Sequence, residues 1–333
     1  MFRKSIALTL ALYFPLACVL AQQAPSQEPP KQSAASAPPV STFAENTRKS
    51  VGFLTVTYLK NNRPEQISGT CFFVFYEEKR LGDNSGFMYL VTNRHMAVPG
   101  IENGVSYPVQ KATVRLNLRS PGDGMASEQE NIPVAGGLHW VLPTDDAVDL
   151  AVLPGAPDRG KYDYLSIPLS MFATKEEITA QQIDAGDNVF FAGFFYQFPG
   201  QKKIQPIVRE GMLAMMPDEE METTLHRPGY LYLADVHAFH GNSGSPLFVN
   251  IGGFRNGNLS GSSYRLLGIV SGYYQEDSDF KLTVATTIEG TVRANSGIAL
   301  VVPAYELKKL LDSPVLQTAR DALVQYEKTK KSQ

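Results

Sequence analysis

The sequence predicts an all-β protein whose antiparallel strands form a sandwich or a barrel. From Val51 onward the chain shows eleven short runs that are rich in β-branched and aromatic residues. Glycine, proline, asparagine and aspartate bound these runs, and no regular helical pattern separates them. Short strands without intervening helices are typical of sandwiches and barrels rather than of alternating α/β folds.

The predicted strands follow one another along most of the chain. They cover residues 51–59, 70–76, 87–92, 113–118, 149–153, 188–195, 229–236, 246–249, 264–274, 282–288 and 297–303. Helical spacing of apolar residues appears only afterwards, in 304–311 and 318–328, with Pro314 between them. Apolar residues three and four apart form one face of a helix, so we expect a pair of C-terminal helices packed on the strands.

Composition limits the possible partners. The chain has 333 residues, with 30 Lys+Arg against 33 Asp+Glu and a formal net charge of −3. At roughly 150 residues per domain, this length predicts about two folding units. A near-neutral chain lacks the cationic face that nucleic acids require, so we expect no nucleic-acid partner. Its two cysteines, Cys18 and Cys71, allow neither a disulfide framework nor a cysteine-based zinc site, and we expect no metal and no cofactor.

The first 21 residues have the parts of a secretory signal peptide. Two basic residues, Arg3 and Lys4, precede a mostly apolar stretch that ends at Ala21 before polar residues. We expect cleavage after Ala21, export to the periplasm or the medium, and no stable membrane insertion afterwards. The alternatives are an uncleaved anchor, which Pro15 and the shortness of the stretch disfavour, and a lipoprotein acylated at Cys18.

Residues 22–42 are predicted to form a disordered linker. They are rich in proline, alanine, serine and glutamine and contain almost no large apolar side chain. Such a segment buries too little surface to offset the entropy of ordering it.

After signal cleavage Cys71 is the single cysteine, and we expect a buried small hydrophobe there, with a redox-sensitive thiol as the alternative.

The most informative string is GNSGSP, residues 241–246. A serine between glycines in a tight turn exposes its hydroxyl while neighbouring N–H groups converge on one point, which suits the oxyanion of a tetrahedral intermediate. The hydroxyl needs a histidine base and an orienting carboxylate. His95 ends an apolar strand and should be fixed at the edge of a cleft. Asp149 heads another apolar strand, where a buried acid needs a partner such as a protonated imidazole.

Three segments resemble, in their order, the trypsin/chymotrypsin-like serine proteases: VTNRHMA at 91–97, DLAVL at 149–153 and GNSGSP at 241–246. The resemblance is nearest to the disulfide-free bacterial branch that includes HtrA-type proteases and glutamyl endopeptidases, here without a PDZ module. It implies that His95 is the general base, Asp149 its orienting acid and Ser243 the nucleophile. The N–H groups of Gly241 and Ser243 are then implied as the oxyanion hole.

The resemblance also implies the architecture, which is two six-stranded antiparallel β-barrels with the site between them. We expect the first barrel, 43–165, to carry the histidine and the aspartate. The second barrel, 166–303, then carries the serine, and residues 304–333 form short helices and a tail. Weaker matches extend the resemblance over most of residues 50–305.

A substrate pocket is implied at His237, Ser271, Gly272 and Tyr273. The tyrosine would narrow the pocket and favour small or medium apolar side chains. The histidine falls near the base of the pocket and would instead attract an acidic side chain, unless it packs away from the substrate.

The predicted function is an exported serine endopeptidase that hydrolyses protein or peptide substrates through an acyl-enzyme intermediate. The alternatives are a catalytically silent, protease-like binding or scaffold protein and a narrow esterase on the same barrels. An α/β-hydrolase is excluded because its histidine follows the nucleophilic serine, whereas the last histidine of this chain is His240.

Overall fold

The computed structural model describes residues 42–121, 124–132, 140–255, 258–283 and 287–331. The predicted signal peptide and all of the predicted linker except Thr42 lie outside these residues, as do the last two residues of the tail. Within the described ranges, no helix has both the length and the apolar character needed to span a lipid bilayer.

Strands dominate the described part of the chain. They are β1 (Val51–Lys60), β2 (Arg63–Glu77), β3 (Gly86–Thr92), β4 (Val109–Asn117), β5 (Ser127–Ile132), β6 (Ala151–Pro154), β7 (Ile167–Pro168), β8 (Asn188–Gly193), β9 (Ile207–Met215), β10 (Met221–Glu222), β11 (Pro228–Gly229), β12 (Tyr232–Asp235), β13 (Pro246–Asn250), β14 (Gly253–Arg255), β15 (Asn258–Ser260), β16 (Tyr264–Thr283) and β17 (Thr287–Pro303).

The helices are short except for the last one. They are α1 (Phe43–Lys49), α2 (Arg94–Ala97), α3 (Lys175–Ala180), α4 (Ala304–Leu311) and α5 (Pro314–Lys331). The predicted C-terminal pair is therefore confirmed. Pro314 is the first residue of α5, a position where the missing N–H of proline costs no hydrogen bond within the helix.

The first unit is a seven-stranded sheet with the order β5-β4-β1-β2-β3-β6, and β7 pairs with β2. The β1–β2 turn consists of Asn61 and Asn62, whose φ angles of 52° and 59° suit a two-residue type I′ hairpin. The parallel strand β7 raises the number of strands from the six expected to seven and lies beyond the expected boundary at residue 165. Among the described residues the outer strands β5 and β6 do not pair, so this ladder is open.

The second unit is a closed barrel of six strands in the order β12-β17-β16-β13-β8-β9. This confirms the second predicted barrel. Strands β16 and β17 pair from Gly268 to Thr283 with two register shifts, at Val270/Gly272 and at Tyr273/Gln275, whereas β13 covers β16 only as far as Ile269. The two strands therefore leave the barrel together as a long hairpin.

A shared apolar layer joins the two units. In β2 the side chains of Cys71 and Phe73 face the core of the first sheet, and those of Phe72 and Val74 face the shared layer. The shared layer also contains Leu150, Phe248, Leu266, Leu307, Leu311, Leu316 and Val324, which come from both units and both C-terminal helices. The two units and the helices are thus one packed body, which fixes the cleft between the units.

Arg320 attaches α5 to the first sheet. It is 4% exposed, and its guanidinium donates to the Tyr89 hydroxyl at 2.9 Å and to the Leu311 carbonyl at 2.8 Å. The guanidinium carbon lies 3.9 Å from the centre of the Tyr76 ring. A buried arginine needs such partners because an unpaired buried charge is strongly unfavourable.

Candidate active site

The turn after β3 places His95 beside Asp149. Strand β3 ends at Thr92, and Asn93 precedes the single helical turn α2 that carries the histidine. The Asn93 side chain donates to the backbone carbonyl of Asp149 at 2.9 Å. The start of α2 is therefore fastened to Asp149, two residues before β6.

Two hydrogen bonds join His95 to the Asp149 carboxylate. The ring Nδ1 lies 2.7 Å from Oδ2, and the backbone N–H of His95 donates to Oδ1 at 3.0 Å. The Asp149 side chain is 1% exposed and the imidazole 15% exposed. This geometry holds the proton on Nδ1 and leaves Nε2 as the basic nitrogen.

The second unit supplies two further partners of Asp149. The Ser271 hydroxyl donates to Oδ2, and the Thr224 hydroxyl lies 3.0 Å from Oδ2 and 2.6 Å from the Ser271 hydroxyl. Ser271 was predicted to line a substrate pocket. Its backbone does border the cleft, but its hydroxyl is turned onto the buried acid.

The pair carries opposite pKa shifts. Burial opposes the charge on Asp149, but the nearby His95 and the hydrogen bonds to the carboxylate outweigh it, so the pKa of Asp149 lies below its ordinary value. Burial likewise opposes the charge on His95, but the Asp149 charge and hydrogen bond dominate and raise the pKa of His95. These shifts mean that Asp149 is ionised and that the neighbouring imidazole accepts a proton readily.

Ser243 lies in a turn that two glycines make possible. Gly241 and Gly244 have φ angles of +96° and +85°, in the left-handed region that favours glycine. A Cβ on Gly244 would lie 2.0 Å from the Thr70 carbonyl oxygen, and one on Gly241 would lie 2.6 Å from the Phe194 ring. The turn therefore packs against its surroundings too closely for any side chain at these positions.

Thr70 of β2 connects the first unit to this turn. Its hydroxyl donates to the Gly241 carbonyl at 2.8 Å and accepts from the N–H of Phe194 at 2.9 Å. Its backbone N–H donates to the Ser243 carbonyl at 2.9 Å. The buried Asn242 side chain completes the support, because it donates to the Phe194 carbonyl at 2.7 Å.

The Ser243 hydroxyl donates to the backbone carbonyl of Ser271 at 3.2 Å. Over the described residues, no hydrogen bond joins this hydroxyl to His95, although both side chains border the same cleft. Within the same residues the backbone N–H groups of Gly241 and Ser243 have no acceptor. These donors are free to bind a substrate oxygen that enters the cleft beside the turn.

A cleft of about 640 Å³ opens between the two units at this point. Gly272 and Tyr273 of β16 line it, and the Tyr273 hydroxyl lies 3.2 Å from Nε2 of His240. His237 does not line the cleft. Val236 and Ala238 on either side point into the barrel core, so the His237 ring faces outward and is exposed near Gly297.

Two functional positions were not predicted from the sequence, namely Thr70 and Thr224. Threonine is common in strands and turns, and the partners of these two lie 171 and 75 residues away along the chain. No local signal distinguishes them from other threonines.

Cys71 is fully buried in the core of the first sheet, and burial raises the pKa of its thiol far above the ordinary value. This placement fits a small hydrophobe rather than a reactive thiol. Within the described residues, no group of three or more histidine, cysteine or acidic side chains is arranged to hold a metal ion.

Comparisons with known proteins found similarity among solved structures only. No protein-family model and no curated protein sequence matches the chain. The HtrA-type protease AlgW with a tripeptide is similar at a TM-score of 0.45 and 15% identity, over 81% of this chain and 62% of that one. Deg5 is similar at a TM-score of 0.43 and 14% identity, over 80% of this chain and 88% of that one.

The AlgW protease with a decapeptide gives a TM-score of 0.41 and 14% identity, over 79% of this chain and 62% of that one. The chain therefore spans about three fifths of the length of the AlgW structures. The likeness lies in the course of the backbone, and the chemistry of the cleft rests on the side chains described above.

Proposed function

We propose that this protein is a serine endopeptidase that uses His95, Asp149 and Ser243. One observation carries the proposal. A buried, ionised aspartate holds a histidine by two hydrogen bonds on the same cleft as a serine whose turn presents two free N–H groups. These are the parts that nucleophilic acyl transfer requires.

In the proposed reaction, rotation about χ1 moves the Ser243 hydroxyl from the Ser271 carbonyl to Nε2 of His95. The imidazole takes the hydroxyl proton as the oxygen attacks the scissile carbonyl. Asp149 stabilises the imidazolium that forms, and the N–H groups of Gly241 and Ser243 bind the oxyanion. The imidazolium then protonates the leaving amine, and a water molecule activated by His95 hydrolyses the acyl-enzyme.

A peptide is the substrate that fits this cleft best. Beyond Ile269 the edge of β16 that faces the cleft has no strand partner among the described residues. An extended backbone can therefore bind beside it through main-chain hydrogen bonds. Tyr273 and His240 contact each other in the cleft, and we propose that the tyrosine narrows it and favours small or medium side chains.

Fluorophosphonate labelling of the purified protein tests the proposal. We expect covalent labelling at Ser243 and cleavage of casein, and both should disappear in Ser243→Ala with the thermal unfolding temperature unchanged. A folded wild-type protein that is not labelled would overturn the proposal. Mass-spectrometric mapping of cuts in a peptide library then gives the preferred side chains, and relative rates on matched esters and amides distinguish a narrow esterase.

A second candidate is a binding or scaffold protein that keeps the residues without the activity. It is favoured by the hydrogen bond from Ser243 to the Ser271 carbonyl, which points the hydroxyl away from the base. The two candidates predict opposite labelling results. A silent protein would bind a peptide reversibly and leave it intact over long incubation.

We also propose that the protein is exported and cleaved after Ala21, on the basis of the basic, apolar and small-residue pattern of its first 21 residues. N-terminal sequencing of the protein isolated from the cell envelope or the medium tests this. We expect the mature chain to start at Gln22. An intact Met1 would contradict cleavage, and a lipid on Cys18 would indicate the lipoprotein instead.

A further inference from the structure

The hairpin formed by β10 and β11 approaches the buried acid without contributing any of the three reacting groups. Gly229 allows close packing, since a Cβ there would lie 3.1 Å from the Ala147 side chain. Arg227 forms an ion pair with Asp146 at 2.8 Å. Both contacts fasten the hairpin to the segment that leads into Asp149.

Thr224 at the tip of this hairpin faces Asp149. Gly272 of β16 makes room for it, because a Cβ on that glycine would lie 2.6 Å from the Thr224 methyl group. The Thr224 hydroxyl lies 3.0 Å from Asp149 Oδ2 and 2.6 Å from the Ser271 hydroxyl. The three oxygens therefore form a triangle.

The two hydroxyls supply two protons for the three oxygen–oxygen pairs of this triangle. The longest side joins Thr224 to Asp149, and the two short sides run from Thr224 to Ser271 and from Ser271 to Asp149. Two oxygens 2.6 Å apart without a proton between them repel each other, so a proton lies between the hydroxyls. The arrangement that satisfies both short sides has Thr224 donating to Ser271 and Ser271 donating to the carboxylate. Hydrogen bonds in such a chain strengthen one another.

We propose that Thr224 is a positioning residue of the active site, which fixes the orientation and charge of Asp149 together with Ser271. This inference rests on the proposed serine-peptidase function and adds to it a contribution from the β10–β11 hairpin. Thr224 touches no reacting atom. It acts on His95 only through the aspartate.

The change Thr224→Val tests the proposal, because valine keeps the shape and removes the hydroxyl. We expect kcat to fall about tenfold with KM unchanged, because loss of the Thr224 hydroxyl weakens the hydrogen bond from Ser271 to the charged carboxylate. Losing the donor leaves more negative charge on Asp149, so the pKa of His95 rises and the acid limb of kcat/KM moves to higher pH. Glu102 also acts on His95 and is unchanged in this variant.

Two variants control for merely structural damage. Thr224→Ser restores the hydroxyl and should recover most of kcat and the wild-type pH limb. Thr223→Val alters the adjacent buried threonine, whose hydroxyl accepts from the Leu225 N–H, and should change neither kcat nor the pH limb. If Thr224→Val does not fold, Thr224→Ala provides the same readouts.

The outcomes separate this inference from the proposed function. Labelling of the wild-type protein together with an unchanged pH limb and kcat in Thr224→Val would overturn the role of Thr224 alone. An unlabelled wild-type protein would overturn the peptidase. In a double-mutant cycle we expect the losses in Thr224→Val and Ser271→Ala to be less than additive, because both variants break the same chain.

Discussion

The surroundings of Asp149 in the candidate site supply more hydrogen-bond partners than those of Ser243. The Asp149 carboxylate accepts from the backbone and ring of His95 and from the Ser271 hydroxyl, and the Thr224 hydroxyl lies 3.0 Å from it. The Ser243 hydroxyl makes one hydrogen bond, to a main-chain carbonyl. The acid is almost completely buried, whereas the serine lies on an open cleft.

The difference follows from the cost of burial. An ionised carboxylate in apolar surroundings needs partners at all times, so its hydrogen bonds have to be part of the fold. A hydroxyl beside solvent can exchange one partner for another by rotating about χ1 between staggered positions. The hydrogen bonds of Asp149 are therefore fixed by the fold, and in the proposed reaction the side chain that has to move is Ser243.

Removal of the charge on Asp149 should have the largest effect. In Asp149→Asn the imidazole loses its ionic partner and the tautomer that exposes a basic Nε2, so kcat should fall about 10³- to 10⁴-fold. Peptide hydrolysis under saturating substrate measures this. The control Asp146→Asn removes an exposed ion-pair partner of Arg227 and should stay within a few-fold of wild type. A similar loss in both variants would contradict the assignment.

Disruption of the turn that carries Ser243 should have the second-largest effect. Gly244→Ala combines a left-handed φ with a Cβ placed 2.0 Å from the Thr70 carbonyl oxygen, so the turn has to move. We expect about 3 kcal/mol of destabilisation and a large loss of fluorophosphonate labelling. The matched control is Gly253→Ala, which has a φ of +96° and open space around it. It should cost about 1 to 2 kcal/mol and leave labelling intact.

Loss of the Thr70 hydroxyl should have a moderate effect. Thr70→Val removes the donor to the Gly241 carbonyl and leaves the Phe194 N–H without its acceptor. The oxyanion turn loses support from the first unit, and we expect kcat to fall about tenfold. Thr113→Val, at a buried threonine of β4, is the control. Equal kcat in the two variants would show that this connection is not needed for activity.

The pH dependence should show the smallest effect. The His95 pKa is raised in the folded protein, so the acid limb of kcat/KM should have its midpoint above the ordinary histidine value of about 6.5. Protonated His95 stabilises the fold below its unfolded pKa, and this contribution is lost as the pH rises through the folded pKa. NMR titration of the imidazole in Ser243→Ala measures the shift directly. Glu102→Gln should lower this pKa slightly, and a midpoint below about 6.5 in the parent protein would contradict the pairing.

The three side chains of the proposed site could be singled out in the sequence because their positions have local signatures. His95 and Asp149 lie at the ends of apolar strands, and Ser243 lies between glycines. The supporting threonines, Thr70 and Thr224, have no such signature because their roles depend on distant contacts. His237 was predicted from its spacing to the serine, and alternation along the chain after β12 turns it away from the cleft.

The fold likewise has features that local sequence patterns predict and features that depend on distant contacts. The strand runs and the C-terminal helices follow from hydrophobic patterns and were predicted. The strand β7 has two residues, too few for a hydrophobic pattern, and it forms because Ile167–Pro168 pairs with β2. The open ladder of the first unit depends on pairing between strands far apart in the chain, which a single sequence does not specify.

Because α4 and α5 pack against both units, the structure cannot be completed until these two helices have been synthesised. Their leucines complete the apolar layer that both units share, and Arg320 reaches back to a tyrosine of β3. While the ribosome is still making these helices, the two halves expose the surfaces that later meet. The cleft therefore reaches its final geometry only after α4 and α5 have been synthesised, so a nascent chain that already carries His95, Asp149 and Ser243 still lacks the finished cleft.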